Sequence, residues 1–94
     1  MARLWAKFLP EMEQRVSLVE EAANAAAAGI LTDEERVAGH EAAHKLAGSL
    51  GLFGMPRGTE IARQLERLLE TAPGDATELV DGVHELRALI AARS

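Results

Sequence analysis

Residues 32–54, TDEERVAGHEAAHKLAGSLGLFG, decide the fold. They open on Thr32, followed three residues later by Glu35. In that pairing the hydroxyl accepts an early amide N–H while the carboxylate reaches back to the cap. From there to about Leu50 the apolar residues recur at helical spacing. At about 100° per residue, Gly39, Ala43, Leu46, Leu50 and Phe53 fall within one sector, which must face the core. His44 points well over a right angle from the middle of that sector, and so toward solvent.

Upstream, Leu9, Met12, Val16, Val19, Ala23, Ala26 and Ile30 are spaced alternately three and four apart. This is one helical stripe, opening at Pro10 and stopped by Gly29. Before it, Leu4, Trp5 and Phe8 make a short amphipathic segment suited to covering one end of a bundle. Downstream, Pro56-Arg-Gly-Thr59 starts a third helix with Thr59 as its cap. Ile61, Leu65, Leu68 and Ala72 form its buried face, and Pro73-Gly74 ends it. Asp75 and Glu78 repeat the cap pattern. The last helix buries Ala76, Leu79, Val80, Val83, Leu86 and Ile90. No segment alternates with a two-residue period. The expected fold is all-α, an antiparallel up-down four-helix bundle with a short extra N-terminal helical segment.

Ninety-four residues make a single domain, 1–94, with 48% apolar residues to fill one core. Aromatics are limited to Trp5, Phe8 and Phe53, and alanine and leucine dominate, which suits close helix packing and not a β-sandwich. The absence of cysteine excludes disulfides and thiolate metal sites. A net charge of −5 argues against a nucleic-acid partner. No apolar run is long enough to span a bilayer, and the N-terminus is too short and polar for a signal peptide, so a cytoplasmic location without membrane association is expected. The chain starts at Met1 and stops as its last helix stops, which also fits an N-terminal module of a larger signalling protein.

The surface around His44 carries the chemical information. Ala47, Gly48 and Gly51 follow it on the same face, with His40 one turn before. A glycine inside a helix costs about 1 kcal/mol relative to alanine. Placed beside an exposed imidazole, glycines bare the helix surface so that a partner's active site can approach. The plainer readings are a polar surface histidine, as for His84, and glycines that only end the helix. Gly48 resists the second, because Leu46 and Leu50 continue the stripe on either side of it.

His44-Lys-Leu-Ala-Gly48-Ser, with Gly54 ten residues after the histidine, resembles the signature of histidine phosphotransfer (Hpt) domains. Ala62-Arg-Gln-Leu65-Glu66 is similar to the segment that closes the pattern. The resemblance implies a phosphorelay carrier without kinase activity of its own. His44 would accept a phosphoryl group from a receiver-domain aspartate, or from a kinase, and pass it to another receiver. It implies response-regulator receivers or a sensor histidine kinase as partners. His44 exposed on a closed bundle argues for a monomer. Glu66 is the implied orienter of the imidazole, and Gln64 offers a further polar contact. No cofactor is expected on this chain, because Mg²⁺ would come with the receiver. Family members often carry a lysine three residues after the histidine. Here that residue is Ala47, which leaves Lys45 and Arg57 as candidate phosphoryl-stabilising cations. Partner docking would use the small and apolar surface near His44, with Leu52, Met55 and the N-terminal segment.

Two other readings compete. His40-Glu41-Ala-Ala-His44 is literally His-Glu-x-x-His, the spacing that places two zinc-binding imidazoles on one helix face with a glutamate as base. The extended version needs glycine at 47 and histidine at 50, where the chain has Ala47 and Leu50. Glu66 or Glu70 would have to be the third ligand, and coincidence is the expected explanation. The third reading, a non-catalytic helical interaction module, explains the bundle but not the glycine-flanked histidine.

Overall fold

The structure is a computed structural model that describes residues 2–93. It contains α1 (Ala2–Ala27), α2 (Asp33–Leu52), α3 (Pro56–Leu68) and α4 (Thr77–Arg93), with no strand among the described residues. Each helix packs on its neighbours in sequence, and α4 closes the ring against α1. The start of α1 and the ends of α2 and α4 meet at one pole. There Trp5 stands edge-on to Phe53 at 5.3 Å, and the Arg93 guanidinium lies 4.7 Å over the Trp5 ring while donating to the Phe53 carbonyl. At the other pole Arg36 of α2 reaches the carbonyls that end α3. The bundle is therefore up-down.

The core is wholly apolar. Met12, Val16, Val19, Leu46, Leu50, Ile61, Leu65, Leu79 and Leu86 are buried, and no polar or charged side chain is buried among the described residues. Close approach is built from small residues: a Cβ on Gly39 would come within 2.9 Å of the Ala22 Cβ, so α2 lies tight on α1 only because position 39 has none. The expected capping box is present. The Thr32 hydroxyl accepts the Glu35 amide at 3.1 Å, and the Glu35 carboxylate accepts the Thr32 amide at 3.0 Å.

Several boundaries differ from the sequence expectation. The N-terminal segment is not separate from the first helix: α1 runs continuously through Pro10. An interior proline costs a helix about 3 kcal/mol. Trp5 is 6% exposed, and burying a tryptophan removes roughly 150–250 Å², worth about 4–6 kcal/mol at about 25 cal/mol per Å². The ring's anchorage outweighs the proline. Ile30 is 70% exposed, not core. Helix α1 ends in a turn in which Ile30 N–H bonds Ala25 O and Gly29 N–H bonds Ala26 O, with Gly29 at φ +73°. Such a turn reverses the chain and carries Ile30 off the stripe.

Helix α3 begins at Pro56, and Thr59 is not its cap. The Thr59 hydroxyl donates instead to the Ala47 carbonyl of α2 at 3.3 Å. The helix stops at Leu68, so Ala72 lies beyond it and is exposed. Pro73 has no N–H to offer the Leu69 carbonyl, and the residue before a proline avoids helical backbone. Arg36 supplies the missing donor, bonding both Leu69 O and Glu70 O at 2.9 Å. At the start of α4, Asp75 accepts from the Thr77 amide at 2.9 Å as a local turn, while Glu78 accepts from Gln64 and not from a cap. Val80 is 39% exposed, on the rim of the core.

Candidate functional site

Gly58, Ala62 and Glu66 are four residues apart and share one face of α3. Gly58 and Ala62 are buried against the bundle, with the Leu50 side chain 3.2 Å from where a Gly58 Cβ would sit. Two small residues thus bring α3 close to α2, and one turn further on the same face presents a carboxylate. The Glu66 Oε2 lies 2.8 Å from His44 Nδ1. His40, one turn before His44, places its Nε2 4.0 Å from the same oxygen. The His44 side chain is 72% exposed and that of Glu66 is 22% exposed.

A carboxylate accepts and does not donate, so Nδ1 must carry the proton in this contact. The neutral ring then holds its lone pair on Nε2, the outward nitrogen. The helix surface beside it is bare: nothing lies within 4 Å of a Cβ built on Gly48. An open hollow of about 400 Å³ adjoins the ring, lined by His44, Ala47, Gly48, Arg63, Glu66, Arg67 and Glu70.

The structure brings His44, Glu66, His40 and Gly48 together. Ala47 lines the hollow, yet only 5% of it is exposed, so it is floor and not an open contact surface. Gly51 is exposed one turn further along, against the Thr59 hydroxyl. Gln64 faces α4, donating to Glu78 at 3.2 Å. Lys45 and Glu41 line a different hollow with Glu11, Gln14 and Arg15, between α2 and α1. Arg57 is engaged by Glu60 and Glu85. The cations that border the His44 hollow are Arg63 and Arg67, which sequence reasoning passed over. Their signal was present: once Glu66 is taken to face His44, Arg63 three residues before it lies on the same side of α3.

The zinc reading has no support in this geometry. Among the described residues no group of three or more histidine, cysteine, aspartate or glutamate side chains is disposed to hold a metal ion. Glu41, the base in that scheme, faces the α1 side.

Comparison with known proteins shows the family. The Hpt domain model matches residues 3–94. The chain belongs to the Hpt domain family. It is also similar to Protein RcaC of Microchaete diplosiphon, 32% identical over 62 residues, which is 66% of this chain and 10% of that protein. The aligned stretch thus covers about a tenth of that relative's length. No solved structure matches significantly. Hpt domains are phosphotransfer carriers of phosphorelays, working with receiver domains or histidine kinases and not as kinases themselves. No helix among the described residues is long and apolar enough to cross a membrane.

Proposed function

We propose that His44 is the phospho-acceptor of this Hpt domain and that Nε2 is the nitrogen that carries the group. The observation that supports this most directly is the 2.8 Å contact between Glu66 and Nδ1 on an otherwise open ring. The Nε2 lone pair attacks phosphorus of an aspartyl phosphate on a receiver. As the N–P bond forms, the P–O bond to aspartate breaks and its electron pair leaves on the carboxylate. The ring gains positive charge as it donates, and the Glu66 carboxylate stabilises that charge through the Nδ1 proton. The reverse step delivers the group to a second receiver.

Positioning and charge stabilisation account for most of the catalysis in phosphoryl transfer. In this reading Mg²⁺ and the acidic pocket that holds it belong to the receiver, and the Hpt chain acts as a monomer. Leu52, 78% exposed, and the exposed Phe8 and Leu4 at the same pole provide an apolar docking rim. Gly48 leaves the approach to Nε2 free.

The test is transfer from a radiolabelled, phosphorylated receiver of the same organism in the presence of Mg²⁺, with His44→Gln alongside. Acid-labile, base-stable label on the wild type alone is the expected result. No label from any of several receivers, with both proteins folded, would overturn the proposal.

A further inference from the structure

Phosphorylation puts about two negative charges on a ring that already contacts a carboxylate, so something must compensate. The position three residues after His44 is Ala47, which carries no charge, and Lys45 lies in the hollow against α1. Arg15, Arg36, Arg57 and Arg87 each hold a carboxylate. Arg63 and Arg67 hold none within 4.0 Å among the described residues, yet both border the hollow beside His44. They are four residues apart on α3, and both are exposed. Glu66 and Glu70 line the same hollow, so its formal charge is balanced before a phosphoryl group arrives. Glu66 is already occupied by the His44 ring.

We infer that Arg63 and Arg67 form the anion site for the phosphoryl group on His44, so that α3 supplies the cations that α2 lacks. The inference rests on His44 being the phosphorylated residue. Two guanidiniums without carboxylate partners are the right chemistry: planar donors that bind phosphoryl oxygens in pairs and remain charged at every working pH. Both stand on α3 and not on the His44 face of α2, where the surface at Gly48 stays open.

The test needs no receiver. His44 can be phosphorylated with the small molecule phosphoramidate and its ³¹P resonance followed against pH, the signal being assigned by its loss in His44→Gln. Nearby cations favour the dianion, so the second ionisation of the group should occur at lower pH in the wild type. In the Arg63→Gln, Arg67→Gln double variant it should rise by about half a unit or more, and lysine at both positions should restore most of the difference. Circular dichroism checks that each variant is folded, as expected for exposed substitutions. An unchanged titration in the double variant, or a shift produced only by Lys45→Gln, overturns the inference. Loss of transfer from receivers with the titration difference intact counts against the relay role and for the anion site.

Discussion

At the scale of single residues, the Glu66 carboxylate does two things to His44. It holds the proton on Nδ1, which frees Nε2, and it fixes the ring against rotation at a site that is otherwise 72% exposed. A hydrogen bond to a charged group is worth about 1.5–3 kcal/mol, less where water screens it. Glu66→Ala should therefore slow phosphoryl transfer by roughly tenfold, since about 1.4 kcal/mol corresponds to a factor of ten. Receiver-to-Hpt transfer rates measure this, with unfolding midpoints close to wild type because Glu66 lies outside the apolar core. Gly48 makes the opposite prediction. A methyl there meets nothing within 4 Å, so Gly48→Ala should raise stability by about 0.5–1 kcal/mol while slowing docking of any receiver on His44. A Gly48→Ala protein that is more stable and equally fast would remove access as the reason for the glycine. His44, Gly48 and Glu66 were legible from spacing and family resemblance. Arg63 was within reach of the same reasoning, standing three residues before Glu66, but which neighbours of Glu66 border the hollow depends on how α3 is rotated against α2.

Elements are set by their ends as much as by their stripes. Thr32 and Glu35 satisfy each other's amides, and Thr32→Ala should cost about 1 kcal/mol, read as a lowered urea midpoint with an unchanged slope. The Thr32 box and the Gly29 stop could be read from residue types, because they depend on local chemistry only. The ends of α3 could not. Its start is tied to α2 through Thr59 and Ala47, and its end depends on Arg36 reaching from another helix. The N-terminal segment is helical and covers one pole as expected, but its separation from the first helix was misread for a similar reason. Pro10 is a sound local signal for a helix start, but Trp5 is buried against Phe53 and Arg93, which lie 48 and 88 residues away in sequence. Local propensity was overridden by a tertiary contact of larger magnitude. Trp5→Ala removes that contact and leaves the proline cost in place. The helix N-terminal to Pro10 should then fray, giving rapid amide exchange over residues 3–9 while α2 and α3 stay protected.

For the molecule as a whole, the apolar core has no pH dependence of its own, so acid sensitivity must come from surface carboxylates that differ between folded and unfolded chains. Glu20 is held below its ordinary value near 4.5 by the hydrogen bonds from Arg87, against the opposing effect of partial burial. Glu35 is lowered by the Thr32 amide and hydroxyl, and Asp75 by the Thr77 amide and hydroxyl. A carboxylate whose folded value is depressed binds its proton more readily when unfolded. Its contribution is therefore fully present above the unfolded value and fades as the pH falls through the folded one. Stability should be flat from neutral pH down to about 5 and then decline. Glu20 differs from the other two in what it joins: its pair with Arg87 at 2.8 Å ties α4 to α1, where the ring of helices closes. Both side chains are about two-fifths exposed, so the pair is screened and its share is modest. Urea midpoints at pH 7 and pH 3 for wild type and Glu20→Gln separate the contributions. The variant should lie below wild type at pH 7 and approach it at pH 3, with the gap at pH 7 narrowing in high salt. A gap that persists undiminished at pH 3 would mean that Glu20 acts by packing and not by charge, leaving Glu35 and Asp75 to account for the acid limb.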